Sequence, residues 1–171
     1  MLLAIEEPTV TTPPNALDNM YEVHHGMVFR TAYRITGNSA DAEDVLQTVF
    51  LRLLRRDPAV AAEIDNPESY LRRAAVNAAL DVVRARHDSD TLEPERMAAS
   101  GSCTELRELR DSLRKALSKL PERTAEMFAL RCFEGYTNPE IAKLMGLSQI
   151  VVAVTLHRTR NKLRKEMGAT R

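Results

Sequence analysis

The stretch Thr137–Ser148, TNPEIAKLMGLS, decides the fold of this chain, because it has the length and the breaks of a helix–turn–helix. Thr137 and Glu140 have the spacing of a capping box, and Pro139 stands in the first turn of the helix that they open. Gly146 breaks that helix and Ser148 caps the next. We therefore predict two helices that meet at a sharp turn near Gly146.

A row of cations lies along the second helix of this motif where it has left the groove, the position at which phosphate contacts are expected. The motif and the cations together predict a DNA interface, whereas the motif alone is also compatible with an ordinary helical hairpin. The residues assigned to this interface are Thr137, Ser148, Gln149, Val151, Ala153, Thr155, His157, Arg158, Arg160 and Lys162.

The charge distribution points the same way. The formal net charge is zero, but residues 1–86 carry 9 basic and 12 acidic side chains, residues 87–111 carry 3 and 7, and residues 112–171 carry 12 and 5. A positive half that coincides with the motif favours a nucleic-acid partner, and an acidic connector separates it from the first half.

The first half of the chain also has helical patterns. Apolar residues recur at helical spacing from Leu17 to Ile35, and Gly37 is positioned to end that helix. A second helix starts at Asn38 or Ser39 and carries an apolar stripe that ends at Leu53 and Leu54. A third starts at Asn66-Pro67 and runs to about residue 86.

These patterns predict an all-α fold of two small helical bundles joined by a flexible acidic linker, with the helix–turn–helix in the second bundle. The predicted boundaries are a mobile tail at 1–15, a first domain at 16–86, a linker at 87–101 and a second domain at 102–171. A further capping box, Ser102 with Glu105, opens the second domain.

Several classes of function are excluded by composition. The two cysteines, Cys103 and Cys132, lie too far apart for a zinc motif, and no metal or cofactor is predicted. No nucleophile stands beside a base and no glycine-rich phosphate loop is present, so we expect no enzymatic activity. There is no apolar run long enough to cross a membrane and no signal-peptide pattern, so we expect no membrane insertion and a cytoplasmic location.

Several longer motifs resemble one known family. The chain is similar to extracytoplasmic-function sigma factors, the bacterial initiation subunits of RNA polymerase. The first domain of that family is matched by YRITGNSADAEDVLQTVFLRLLR (Tyr33–Arg55) and SYLRRAAVNAALDVVRAR (Ser69–Arg86). The second is matched by ALSKLPERTAEMFALRCFEGYTNPEIAKLMGLS (Ala116–Ser148) and LHRTRNKLR (Leu156–Arg164). Together the motifs span most of residues 20–165 in the family's order.

The resemblance implies roles for two sets of residues in the first domain. The set that would bind the clamp of the largest subunit of core RNA polymerase is Asp41, Glu43, Asp44 and Gln47. An exposed acidic first turn suits docking on a basic partner. The set that would read and melt the minus-ten promoter element is Tyr70, Arg73, Asn77, Asp81, Arg84 and Arg86.

The resemblance also implies partners. They are core RNA polymerase, whose flap would hold the second domain at minus-thirty-five DNA, promoter DNA itself, and an anti-sigma factor. Two alternatives remain open on the sequence: a sigma mimic that sequesters an anti-sigma factor, and a stand-alone helix–turn–helix regulator. A mimic has no need of Asn77 and the basic tail, and a stand-alone regulator has no need of the acidic surface.

One segment departs from the family pattern. The groove-facing positions of the recognition helix carry the sequence QIVVAVT (149–155), in which Ala153 and Thr155 stand where the family often has Lys and Arg. Such a helix offers methyl groups to thymine, so we expect weak, A·T-biased recognition of minus-thirty-five DNA. The competing interpretation is that Val151 and Val154 pack inward.

Overall fold

The computed structural model describes residues 16–55, 64–92 and 104–168, and the regular elements in those ranges are seven α-helices. Helices α1–α3 pack together as the first bundle and α4–α7 as the second. The all-α prediction is confirmed. The helices are α1 (Ala16–Thr36), α2 (Ser39–Leu54), α3 (Pro67–Leu92), α4 (Thr104–Ser118), α5 (Glu122–Cys132), α6 (Asn138–Met145) and α7 (Gln149–Gly168).

The helices of the first bundle begin where the sequence predicts, and α1 also ends where it predicts. The Asn38 side-chain oxygen accepts the Ala40 N–H at 2.8 Å, and the Asn66 side-chain oxygen accepts the Ser69 N–H at 2.9 Å. Gly37 ends α1 with a φ of 69°, a left-handed conformation that favours glycine. The side chains that fill this bundle's core include Val28, Ile35, Val45, Leu53, Leu71, Val76 and Leu80.

The helix–turn–helix has the expected capping groups. Thr137 Oγ1 accepts the Glu140 N–H at 3.4 Å, and the Glu140 carboxylate accepts the Thr137 N–H at 2.7 Å, which completes the capping box. Gly146 ends α6 with a φ of 64°, and Ser148 Oγ accepts the Val151 N–H at 3.3 Å. The chain bends by 110° between α6 and α7. The side chains buried between these helices include Ala142, Val152 and Leu156.

The end of the first domain differs from the prediction. Helix α3 continues to Leu92, six residues past its predicted end at about residue 86. The segment HDSDTL (87–92) is polar but holds no Gly or Pro, so nothing in it breaks a helix before Pro94. Residues 93–101 of the predicted linker, the predicted tail at 1–15 and the Ser102 cap lie outside the described residues.

The two bundles pack against each other, which the sequence did not indicate. Helix α3 contacts both α4 and α5, and buried residues of both bundles belong to one apolar cluster. Each bundle also caps a helix end of the other with a guanidinium group. Arg114 Nε donates to the Ile35 carbonyl at 3.0 Å, and Arg73 Nη1 donates to the Leu144 carbonyl at 3.1 Å. The carbonyl end of a helix carries partial negative charge, so a guanidinium group is stabilised there.

No single helix in the described ranges is both long and apolar enough to cross a membrane. The bent pair α6–α7 has the length and composition of a span only when its two helices are taken together.

Candidate nucleic-acid and polymerase interfaces

Helix α2 presents part of the predicted polymerase-binding set to solvent. Glu43, Asp44 and Gln47 are all exposed. Leu51 and Leu54 continue the same side of the helix at spacings of four and three residues, and they are 49% and 57% exposed. The prediction that Leu54 belongs to the buried stripe is therefore wrong. Leu53 fills that place in the core, and Leu54 extends an exposed face that is acidic at one end and apolar at the other.

Asp41 is a second correction. The expected exposed first turn of α2 does not include it, because Asp41 is buried, with 8% of its surface accessible. Its Oδ1 accepts a hydrogen bond from Arg86 Nη2 at 2.6 Å. The two residues were assigned to different surfaces, one for polymerase and one for minus-ten DNA. In the structure they form an ion pair that ties the start of α2 to α3.

Two of the predicted minus-ten residues of α3 contact the second bundle. Arg73 and Asn77 are one helical turn apart, and both donate to the same oxygen of Glu126 in α5, at 2.5 Å and 3.2 Å. Tyr70, one turn earlier, is half-buried and packs against the core. Farther along α3, Arg84 pairs with Asp81 at 3.2 Å, and Asp81 is exposed. The structure thus places Arg73 and Asn77 together and leaves Asp81 and Arg84 on a separate part of α3.

A buried carboxylate next to this face was not predicted from the sequence. The side chain of Glu134, just after α5, is fully buried and accepts three donors from the first bundle. They are Thr31 Oγ1 at 3.0 Å, Arg34 Nη1 at 3.1 Å and Arg72 Nη1 at 2.6 Å. Burial opposes the charge on Arg72, but its hydrogen bonds to Glu134 and Glu68 outweigh that effect and raise the pKa of Arg72.

Some signal for the buried carboxylates exists in the sequence. Glu126 lies inside the apolar run AEMFAL (125–130), where an acid is unusual unless it is paired. Glu134 precedes Gly135, which has a φ of 74° and ends the turn after α5. A local sequence pattern cannot identify the residues that pair with these glutamates. The residues that Glu134 contacts are 62 to 103 positions away along the chain.

Helix α7 has an exposed apolar face. Ile150, Val151 and Val154 are 76%, 47% and 43% exposed, while Val152 and Leu156 are buried. The interpretation in which Val151 and Val154 pack inward is therefore wrong. Ala153 and Gln149 are exposed on the same helix, and Thr155 is half-buried.

The cations of α7 are open to solvent. Arg158, Arg160 and Lys162 are exposed, and so are Arg164 and Lys165 farther along the helix. His157 is exposed too, and its Nε2 lies 3.0 Å from the Asn161 side-chain nitrogen. Thr137 and Ser148 serve as helix caps in the structure, so their side chains position the two helices of the motif.

No group of three or more His, Cys, Asp or Glu side chains in the described part of the chain is arranged to hold a metal ion. Cys132 is a free thiol. Partial burial raises the pKa of Cys132, and the neighbouring Arg160 and Arg131 guanidinium groups oppose this shift. The thiol therefore has little thiolate character at neutral pH.

These features define an all-α protein of two packed bundles, the second of which carries a helix–turn–helix. The family models agree with both halves: sigma-70 region 2 matches residues 20–88, and sigma-70 region 4 matches residues 110–163. The chain belongs to the RNA polymerase sigma factors, in their extracytoplasmic-function group. This is a class of non-enzymatic initiation factors that act with core RNA polymerase at promoter DNA. The class identified from the sequence is confirmed.

Curated relatives support this conclusion along most of the chain. The RNA polymerase sigma-E factor of Streptomyces avermitilis is 30% identical over 82% of this chain and 78% of its own length. The extracytoplasmic-function factor SigE of Mycolicibacterium smegmatis is 31% identical over 86% of this chain, which spans 60% of that longer relative.

A solved structure shares the fold. It is the sigma factor RpoE of Bartonella quintana, crystallised with the anti-sigma factor NepR. The match covers 90% of this chain and 97% of that one, with a TM-score of 0.52 and 17% sequence identity.

Proposed function

We propose that this sigma factor docks on core polymerase through the exposed side of α2, reads minus-ten DNA with the Arg73–Asn77 side of α3, and holds upstream duplex DNA with α7. The first domain would comprise 16–86, with α3 continuing to Leu92, and the second 102–171. Linker residues 87–101 would join them, of which 87–92 are helical.

The docking surface we propose consists of Glu43, Asp44 and Gln47, extended by Leu51 and Leu54. The acidic groups favour a basic partner and steer its approach. The two exposed leucines supply apolar area that becomes buried on binding. Asp41 contributes indirectly, because its ion pair with Arg86 fixes the first turn of α2 against α3.

One observation carries the minus-ten proposal: Arg73 and Asn77 already converge on a single carboxylate oxygen of Glu126. Side chains that meet at one anionic acceptor have the geometry to hold a phosphate or the carbonyl edge of an extruded base. Tyr70 adds an aromatic ring one turn earlier, where an unpaired base could stack. Arg84 and Asp81, farther along α3, would lie beside the adjacent nucleotides.

The role we propose for α7 is weaker and less selective. Gln149, Ala153 and the exposed valines would face the groove, where methyl groups of thymine are the matching surface. Arg158, Arg160, Lys162 and His157 would contact phosphates, which position the helix without reading sequence. Promoter choice would then depend chiefly on the first domain.

The decisive experiment is run-off transcription with purified core polymerase and a genomic promoter library. The proposal expects new, discrete start sites when the full chain is added and none with core polymerase alone. A sigma mimic or a stand-alone regulator gives no start sites in this assay. The matched control is Asp65→Arg, a charge reversal at an exposed position in the loop before α3, which should leave the transcripts unchanged.

An anti-sigma factor is a further proposed partner. The resemblance to the family and the complex crystallised for the Bartonella protein support it. Co-purification from cells, followed by mass spectrometry, tests for this partner.

A factor that acts on polymerase and promoter DNA works where both are present, so we propose a cytoplasmic location.

A further inference from the structure

Two glutamates of the second bundle occupy the cationic face of the first. Glu126 is 4% exposed as a residue, and the Glu134 side chain is fully buried. All the hydrogen bonds described above for these carboxylates cross from one bundle to the other. They account for five donors of the first bundle: Thr31, Arg34, Arg72, Arg73 and Asn77.

The donors at Glu126 are the same groups that the proposed function assigns to minus-ten DNA. Arg73 is also bound at a second point, the Leu144 carbonyl at the end of α6, so its guanidinium is held by two acceptors of the second bundle. The N–H groups that bond these acceptors are not available to a nucleotide at the same time. Closed packing of the bundles therefore competes with DNA binding at Arg73 and Asn77.

The closed packing has further contacts that do not involve the DNA-binding residues. Arg114 of α4 reaches the Ile35 carbonyl and lies directly over Gly37. A Cβ added at Gly37 would lie 1.9 Å from Arg114 Nη2, so any other residue here would displace the guanidinium. Within the described residues, polar contacts thus join the bundles at three places: the Glu126 site, the Glu134 site and the Arg114 site.

We propose that Glu126 and Glu134 form an internal lock in which carboxylates take the place of nucleic acid and mask the minus-ten surface of the free sigma factor. Single-stranded DNA must compete with the second bundle, and any ligand that favours separated bundles unmasks α3. This inference rests on the assignment of Arg73 and Asn77 to minus-ten DNA. It adds that the free chain holds those residues in an unavailable state.

The lock predicts a specific loss of affinity in the free chain. When the binding-competent state is a small fraction of the molecules, the measured dissociation constant rises by the inverse of that fraction. If about 1–10% of molecules are open, the free chain binds about 10- to 100-fold more weakly than its first domain would when unmasked. Removing the lock should recover much of this factor.

The test uses the full chain and a fluorescein-labelled, A·T-rich single-stranded oligonucleotide, with binding followed by anisotropy at fixed salt. The double variant Glu126→Gln/Glu134→Gln is expected to bind at least about 10-fold more tightly. The matched control is Glu108→Gln/Glu122→Gln, the same charge change at two exposed positions of the second bundle, and it should bind like the parent. Equal tightening by the control would show that net charge, and not a lock, sets the affinity.

A charge-neutral variant separates the lock from general electrostatics. Thr31 is buried, donates to Glu134 and lies outside the proposed DNA surface. Thr31→Val removes one hydrogen bond with little change of shape, and we expect about two- to fivefold tighter binding. Circular dichroism should show that the variants retain the parent's helix content.

Small-angle X-ray scattering of the same variants measures opening directly, and the double variant should have a larger radius of gyration than the parent. Unchanged scattering and unchanged DNA affinity, with transcription that still requires Asn77, would overturn the lock and leave the proposed function standing. A larger radius without tighter DNA binding would overturn the masking proposal and also remove Arg73 and Asn77 from the minus-ten surface.

Discussion

Helices α3 and α7 both carry residues assigned to DNA, but they present them in opposite ways. The Arg73 and Asn77 side chains of α3 are bonded to a buried carboxylate of the other bundle. On α7 the apolar residues Ile150 and Val151 are exposed, and the cations that follow them are also open to solvent. One interface is polar and covered, whereas the other is apolar at its reading face and open.

This difference suggests the order in which α7 and α3 would contact DNA. Helix α7 can meet duplex DNA in the free protein, because nothing in the described part of the chain covers its reading face. On the proposed assignment, Arg73 and Asn77 of α3 have to leave Glu126 before they can bind DNA. The interface that is open is also the one with few base-reading groups, so early contact with DNA should be weakly selective and later contact selective.

The largest expected effect is the loss of core-polymerase binding when the exposed side of α2 is changed. Asp44→Arg/Gln47→Arg should reduce core-polymerase binding more than about 100-fold, because reversed charge on a docking surface costs several kcal/mol. Duplex DNA binding through α7 should be unchanged in the same variant. Co-purification with core polymerase measures the first effect and gel shift the second. Unaltered co-purification, with Asp65→Arg as the control, would contradict the α2 assignment.

The next effect concerns α3 alone. Asn77→Ala should leave the holoenzyme intact and weaken promoter opening, because one good base contact contributes about 1–3 kcal/mol. Permanganate reactivity of promoter thymines measures opening. On a template pre-melted by mismatches, a defect in melting is partly rescued, whereas a defect in base reading is not. Equal reactivity in variant and parent would remove Asn77 from the interface.

A smaller effect is expected at α7, where contacts to phosphate dominate. If four to six cations engage phosphates, the logarithm of affinity should fall with the logarithm of salt at a slope of about −4 to −5. Arg158→Gln should lower the magnitude of that slope by about 1.

Selection from random duplexes with the full chain measures the selectivity of α7. We expect a diffuse A·T bias, since duplex DNA offers α7 thymine methyls but does not present the unpaired bases that α3 would read. A sharp, information-rich minus-thirty-five motif would show that α7 reads sequence in the ordinary way and would break the contrast between the two helices.

The smallest effect concerns the capping box that positions α6 before α7. Hydrogen bonds from the Thr137 hydroxyl and the Thr137 N–H lower the pKa of Glu140. A lowered carboxyl pKa adds stability above the unfolded value of about 4.3, and this is lost as pH falls through the folded pKa. Thermal unfolding between about pH 3 and 7 should show this decline in the parent and a flatter profile in Glu140→Gln, which keeps the capping geometry. Identical profiles would show that the exposed carboxylate contributes nothing measurable.

Local chemistry explains why the helices were predictable. The caps Asn38, Asn66 and Thr137 and the breakers Gly37 and Gly146 act within a few residues of themselves, so their effects can be read along the chain. The end of α3 was misplaced for the opposite reason. The acidic composition of 87–92 resembles a linker, but a helix that is already packed continues until something breaks it.

The candidate site was predictable in part. The acidic side of α2, the Arg73–Asn77 pair and the cations of α7 follow from helical spacing and the family resemblance. Helical spacing and the family resemblance do not show which of these residues are buried. Asp41 and Asp44 are both acids near the start of α2, but only Asp41 is buried, where it pairs with Arg86. Leu53 and Leu54 are equally apolar, and packing against α1 and α3 buries one and exposes the other.

The sequence alone established the class of protein, the two bundles, the position of the helix–turn–helix and the apolar character of its second helix. All of these depend on residues close together in the chain or on motifs in a fixed order. Only the tertiary structure decided how the bundles join. Glu134 accepts a hydrogen bond from Thr31, 103 positions away, and Glu126 accepts one from Asn77, 49 positions away. Contacts at such separations depend on how helices cross, and a helical pattern records which face is buried but not which helix covers it.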